Sequence, residues 1–132
     1  MKILMKIKES LIQKHNKKFL DLLKINNFEK KKIIMIIKKL RKLKKNKKKI
    51  IIAGNGGSAA IASHFSVDMT KNGNIRCINF NESDLLTCFS NDYGYENWTK
   101  AALKFYSDKG DLIILISSSG SSKNIINAAK FA

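Results

Sequence analysis

Two segments constrain the fold more than anything else in the chain. Ile50–Ser58 reads Ile-Ile-Ile-Ala-Gly-Asn-Gly-Gly-Ser, and Leu112–Ser122 reads Leu-Ile-Ile-Leu-Ile-Ser-Ser-Ser-Gly-Ser-Ser. Each is a short, largely β-branched apolar run that stops at a loop of Gly, Ser and Asn and leads into a helix-like stretch. A short apolar run bounded by turn residues predicts a strand buried on both faces, as in a parallel sheet. A small-residue loop between such a strand and a helix N-terminus gathers several backbone N–H groups at one point. That arrangement suits an anion such as a phosphate. Two such loops, neither containing Lys, are a far narrower signal than one.

The remaining pattern after residue 50 agrees. Ile50–Ala53 predicts a first strand, and Ser58 a cap for a helix to about Lys71. Asn72-Gly73-Asn74 is turn chemistry, and Ile75–Phe80 predicts a second strand. A short helix over about Ser83–Ser90, a loop Asn91–Tyr95 and a helix over about Glu96–Ser107 follow. Lys109-Gly110-Asp111 turns into a third strand, Leu112–Ser117, and a last helix runs from about Ser122 to Ala132. Alternating strands and helices imply a parallel sheet with crossover helices. If the strand order is 2-1-3, the third strand is an exposed edge. The expectation is therefore that these 132 residues are the N-terminal two-thirds of a longer domain.

Before residue 50 the period is helical. Leu4, Leu11, Ile12, Phe19, Leu20, Leu22 and Leu23 predict an amphipathic helix over 3–25, broken at Ile25-Asn26-Asn27. Phe28, Ile33, Ile34, Ile36, Ile37, Leu40 and Leu43 predict a second helix over 28–45. The positive run Lys44–Lys49 sits at its end, where cations complement the helix dipole. The apolar faces of both helices need covering, by the sheet, by each other or by another subunit.

The net charge of +16 is confined to this part: residues 1–49 carry 19 Lys/Arg against 3 Asp/Glu, and residues 50–132 carry 7 against 7. The bases are nearly all Lys, whereas bidentate readers of phosphates and base edges favour Arg. Aromatic stacking residues are sparse among them. The composition argues against a nucleic-acid partner and reflects a bias toward Lys, Ile and Asn. The longest apolar run here, Ile33–Ile37, is too short to span a bilayer, and Met1–Lys8 lacks the apolar core of a signal peptide. No membrane partner is expected, and a cytoplasmic location follows by default. Cys77 and Cys88 lack metal-ligand spacing and are expected to be reduced, largely buried thiols. His15, alone in a Lys-rich helix, carries no functional signal.

Three readings compete for Gly54–Ala59. A P-loop needs a Lys after its glycines, and none is present. Gly54, Gly56 and Ala59 match the dinucleotide pattern G-x-G-x-x-A. That pattern expects an acidic residue at the end of the second strand. Here the strand ends Asn79-Phe80-Asn81, with Glu82 just beyond, and the second Ser-rich loop is left unexplained. The third reading is a sugar-phosphate site. Three or four hydrogen bonds to a phosphate supply on the order of 5–10 kcal/mol gross. Immobilising the ligand removes part of this, leaving millimolar to micromolar affinity without any Lys. In that reading Ser117, Ser118, Ser119 and Ser122 hold the phosphate while Asn55 and Ser58 face the sugar. His64 and Asp68, four residues apart on one helical face just past the Gly loop, form half of a metal site. Equally, they suit a general acid–base pair for moving a proton between adjacent carbons.

Gly54-Asn-Gly-Gly-Ser-Ala-Ala after a strand, His64-Phe65, Asn91-Asp92-Tyr93-Gly94-Tyr95 and Ile116-Ser-Ser-Ser-Gly-Ser-Ser occur in this order. In order and spacing they resemble the sugar isomerase (SIS) domain family, and within it the phosphoheptose isomerase group. The resemblance covers about 50–132 well. It implies an α/β fold: a parallel-sheet, SIS-type three-layer sandwich of flavodoxin-like order, here C-terminally truncated and preceded by two helices. The domain reading is a basic helical segment, 1–49, for packing or oligomerisation, and a sugar-phosphate-binding domain, 50–132, incomplete at its C-terminus.

The resemblance further implies conversion of sedoheptulose 7-phosphate to D-glycero-D-manno-heptose 7-phosphate through an enediol, feeding cell-surface polysaccharide precursors. A zinc cofactor and a homo-oligomer, a tetramer, are implied with it. Asn55, Gly56, Gly57, Ser58, Asn91 and Asp92 would contact substrate, and Ser117, Ser118, Ser119 and Ser122 would bind its phosphate. His64 matches a zinc ligand. Asp68 stands where the family usually has a Glu that binds metal and transfers the proton. Asn72 stands where an Arg is common, and the family's other metal ligands and catalytic His lie beyond residue 132. An alternative is a non-catalytic SIS-domain protein that binds a sugar phosphate as a regulator or assembly factor.

Overall fold

The computed structural model describes residues 2–132, and side chains from residue 10 onward; the side chain of Leu4 lies outside the described residues. The chain forms two compact units, one up to Lys39 and one over Leu40–Ala132.

In the first unit, α1 (Lys2–Leu22) is followed by α2 (Asn27–Lys45), which runs on into the second. The break between them is fixed locally. Asn26 Oδ1 accepts from the Glu29 amide at 2.9 Å, and Glu29 Oε2 accepts from the Asn26 amide at 2.8 Å. This reciprocal box satisfies two donors that a helix start would otherwise orphan. The apolar stripes of this unit are exposed, Leu11, Phe19, Leu20, Phe28, Ile34 and Ile36 among them.

The second unit continues with β1 (Ile50–Gly54), α3 (Gly57–Lys71), β2 (Cys77–Asn79), α4 (Ser83–Tyr93), α5 (Trp98–Tyr106), β3 (Leu112–Ile116) and α6 (Lys123–Phe131). The sheet is parallel with order β2-β1-β3. β1 is central and buried along its whole length, as its unbroken apolar run requires. β3 is half-buried at the edge of the described sheet. Alternation along the strands sends residues to opposite faces. Ile50, Ile52 and Cys77 pack with Leu43, Ala62 and Ile75. Ile51 and Ala53 pack with Phe80, Trp98, Ala102, Leu103 and Ala128. The sheet therefore lies between the end of α2 with α3 on one face and α4–α6 on the other, the expected three layers.

Several boundaries differ from the sequence expectation for local reasons. Asn91-Asp92-Tyr93 is the last turn of α4, not a loop. The helix stops only at Gly94, whose φ of 78° is open to glycine at little cost. The second strand shortens to three residues. Ser58 does not cap α3; the chain turns at Gly56, with φ 53°, and the helix starts without a side-chain cap. Cys77 is buried as expected, and burial pushes its thiol pKa up to about 11. Cys88 is exposed, contrary to expectation, because it falls on the outer face of α4.

At the sheet end opposite the Gly and Ser loops, one ion pair aligns β1 with β3. Lys49 Nζ lies 2.6 Å from Asp111 Oδ2 and 2.7 Å from Asp108 Oδ2. The buried Asp111 carboxylate also accepts from the Lys49 and Asp108 amides at 3.0 and 2.8 Å. Burial disfavours this carboxylate. The Lys49 ammonium and the two amides outweigh that and hold its pKa below the ordinary carboxylate value. Burial also disfavours the ammonium, and the two carboxylates more than offset it, raising the Lys49 pKa.

A carboxyl whose folded pKa is depressed contributes stability above its unfolded value and loses it as pH falls through the folded one. Asp111→Asn should therefore destabilise the fold by about 2–3 kcal/mol near pH 7, with the gap from the unaltered protein narrowing below about pH 4. Urea unfolding at both pH values checks this; a gap that does not change with pH contradicts it. Gly54 is constrained by space instead. A Cβ there would lie 2.7–2.9 Å from Ser58, including its backbone carbon and oxygen. Gly54→Ala should cost about 2 kcal/mol or more in the same experiment, since backbone cannot yield as a side-chain tip can.

Candidate functional site

The site begins with strand register. Gly54 is paired with Ile116, so β1 and β3 end side by side and release their loops at the same edge of the sheet. Ligands of open α/β sheets bind at this carboxyl edge. The β1 loop is Asn55-Gly56, handing over to Gly57 and Ser58 in the first turn of α3. The Ser58 amide donates to Asn55 O at 3.0 Å, and the Ala59 and Ala60 amides donate to Gly56 O at 3.0 and 3.1 Å. Gly56 and Gly57 are exposed, and open space surrounds the position of a Cβ at either. A ligand can approach this backbone closely.

The second loop, 117–122, is shaped by its own hydroxyls. Ser117 Oγ accepts from the Gly120 amide at 3.1 Å. Ser119 Oγ accepts from the Ser121 amide at 3.2 Å and from Ser121 Oγ at 2.9 Å. A hydroxyl that accepts keeps its own hydrogen to donate. Ser117 and Ser119 are thus held in place while retaining a donor. Ser118 is exposed, and Ser122 is the N-cap of α6, its carbonyl accepting from the Ile125 and Ile126 amides. The four serines fill the short loop that leads from β3 into one helix.

The two loops are joined directly. Asn55 and Asn124, the second residue of α6, exchange amide hydrogen bonds of 2.9 Å in both directions. The Tyr95 hydroxyl reaches Asn55 Oδ1 at 3.5 Å. Asn127 Nδ2 donates to Glu96 O at 2.9 Å and to Asn97 Oδ1 at 3.3 Å, fixing the turn after α4 against α6. Asn124, Thr99 and Tyr95 were not singled out from the sequence. The signal for Asn124 was an Asn four residues before Ala128, on the face of the helix that must pack inward.

The other expected residues bond among themselves and their near neighbours and not to this junction. Asn91 and Asp92 are exposed on the last turn of α4, and their side chains bond to each other at 3.0 Å. Asp92 also lies 3.7 Å from Cys88 Sγ. His64 Nε2 and Asp68 Oδ2 are 3.4 Å apart on α3, with side chains 83% and 51% exposed. The expected pairing on one helical face is present, open to solvent. Asn72 Nδ2 adds a 3.3 Å bond to Asp68. No third His, Cys, Asp or Glu joins the pair among the described residues. Two donors do not by themselves fit zinc, which takes four ligands in a closed site or three plus water in an open one. A cleft of about 380 Å³ lies elsewhere, lined by Tyr93, Asn97, Lys100, Ala101, Lys104 and Phe105. Among the described residues, no helix is long and apolar enough to cross a membrane.

The phosphoheptose isomerase of Aliarcobacter butzleri is 42% identical over 81 residues, 57% of this chain and 43% of that protein. Phosphoheptose isomerase 2 of Campylobacter jejuni is 46% identical over 50 residues, 38% of this chain and 25% of that protein. The chain thus spans less than half the length of these relatives. Among solved structures, the phosphoheptose isomerase of Neisseria gonorrhoeae aligns with a TM-score of 0.61 at 39% identity, covering 66% of this chain and 48% of that one. A phosphoheptose isomerase from Francisella tularensis shares the fold over the whole chain and 70% of its own length, with a TM-score of 0.76 at 22% identity. A family model described as the SIS domain matches residues 16–132. With that match over most of its length, the chain belongs to the SIS domain family.

Proposed function

We propose that the paired loops bind a phosphorylated sugar and that the protein acts as an aldose–ketose isomerase on sedoheptulose 7-phosphate, yielding D-glycero-D-manno-heptose 7-phosphate. One observation carries this reading. Two loops rich in amide and hydroxyl donors, without a cationic side chain in either, are held against each other by the Asn55–Asn124 pair at the carboxyl edge of a parallel sheet. The relatives' names, phosphoheptose isomerase, support a phosphorylated heptose as the sugar.

The serines of 117–122 and the exposed amides of Gly56 and Gly57 would take the phosphate and the near hydroxyls. Asn91 and Asp92 would meet the far end of the sugar. The reaction removes a proton from C1 of the ketose as the carbonyl oxygen on C2 gains one, giving an enediol. A proton then goes to C2 as the hydroxyl on C1 loses its own, giving the aldose. Asp68 serves as the base at carbon, and His64, its neighbour at 3.4 Å, as the partner that moves the oxygen-bound proton. A zinc ion at this pair would need at least one further ligand from outside the described residues.

The exposed apolar stripes of α1 and α2 suit burial against further copies of the chain, as a homo-oligomer such as a tetramer would provide. The product would feed cell-surface polysaccharide precursors. The exposure of His64 and the lack of a third metal donor among the described residues favour one other reading. In it the protein binds a sugar phosphate without turning it over.

Aldose formation from sedoheptulose 7-phosphate, assayed with zinc supplied and paired with a binding titration, separates the two. The isomerase reading expects turnover that falls at least about 100-fold in Asp68→Asn while sugar-phosphate binding persists. Binding without turnover in the unaltered protein supports the binder. Neither binding nor turnover contradicts both.

A further inference from the structure

The junction between the loops contains more polar order than joining them requires. Asn124 is only 2% exposed, and Thr99 on α5 is fully buried. A carboxamide has two N–H donors and one oxygen with two acceptor sites. Asn124 Nδ2 donates to Asn55 Oδ1 at 2.9 Å and to Thr99 Oγ1 at 3.1 Å, which uses both of its hydrogens. Asn124 Oδ1 accepts from Asn55 Nδ2 at 2.9 Å. Asn55 Oδ1 accepts from Asn124 and, at 3.5 Å, from the Tyr95 hydroxyl. The carbonyl of Asn55 is therefore occupied, and one N–H of its amide remains uncommitted. Asn55 is half-buried at the start of its loop, Asn124 and Thr99 are buried, and Tyr95 is exposed.

We infer that Asn124 and Thr99 are positioning residues that fix the Asn55 amide in one orientation and present it to the sugar as a hydrogen-bond donor only. The inference rests on the sugar-phosphate reading for the ligand, and on geometry alone for the orientation. The atom that meets Asn55 must then be an acceptor, a carbonyl or hydroxyl oxygen of the sugar. A ligand group that can only donate finds no partner there. Thr99 matters because it occupies the second hydrogen of Asn124. Without an oxygen at that place the buried N–H is left unpaired, and the Asn124 amide gains a reason to turn.

Thr99→Val keeps the shape of the side chain and removes the oxygen, and Thr99→Ser restores it. Titration with sedoheptulose 7-phosphate and, separately, with inorganic phosphate tests the assignment. Thr99→Val should weaken the sugar phosphate about tenfold, the scale of one buried hydrogen bond, and leave inorganic phosphate unchanged; Thr99→Ser should recover the affinity. Unchanged sugar-phosphate affinity in Thr99→Val overturns the inference. So does an equal loss for both ligands alongside a lowered melting temperature, which marks a merely structural role.

The side-chain amide resonances of Asn55 give a ligand-free readout. They should be well dispersed and slow to exchange with solvent in the unaltered protein and in Thr99→Ser, and lose both properties in Thr99→Val. If the unaltered protein binds no sugar phosphate, the functional reading fails. The positioning role then stands or falls on these resonances.

Discussion

The parallel pairing of β1 with β3 is the constraint on which everything else rests. Each strand taken alone ends in a solvated turn. Paired so that Gly54 faces Ile116, they bring two sets of backbone amides and hydroxyls to the same edge of the sheet. The pairing is secured at both ends by different chemistry. At the foot, a largely buried ammonium and carboxylate, Lys49 and Asp111, tie the strand starts together. At the mouth, a neutral amide pair, Asn55 and Asn124, ties the loops together. The separation is physically sensible. A charged clamp at the mouth would compete with an anionic ligand, whereas a neutral pair leaves the local potential to the backbone amides and the helix starts.

The positive charge lies apart from these loops in the sequence. The 7 Lys/Arg and 7 Asp/Glu of residues 50–132 balance, and the excess resides in residues 1–49. A phosphate site built from donors has no need of Lys. Its affinity is set by geometry, and hence by how firmly the loops are held. Gly54 belongs to the same logic. The start of α3 crosses so close to the end of β1 that no Cβ fits between them, and this closeness brings the first turn of α3 up beside the Asn55 loop.

Much of this was legible in the residues. The runs at Ile50 and Leu112 read as strands followed by turns into helices; the first is buried throughout, and the second is only half-buried because it lies at the edge of the described sheet. The chain order of strands and helices then gave the layers. Less legible were features set by tertiary context. Asn91-Asp92-Tyr93 reads as a loop, yet it continues α4, because the stop is set by Gly94 and not by the polar residues before it. Ser58 has the chemistry of a cap, but the turn at Gly56, with its positive φ, moves the helix start two residues earlier. The Asn26–Glu29 box is legible in its spacing, an Asn three residues before a Glu at the start of an apolar helical run. Asn124 was hidden for a deeper reason. A polar residue at the start of a helix reads as solvated, and only the approach of Asn55 and Thr99 from other elements buries it.

The central claim is that a phosphorylated sugar is held by amide and hydroxyl donors of two adjoining loops. Backbone amide chemical shifts recorded during titration with sedoheptulose 7-phosphate test it most directly. The account predicts saturable shifts centred on residues 55–58 and 117–122 together, with residues 1–49 little changed. Shifts confined to the Lys-rich segment, or to one loop without the other, would contradict it.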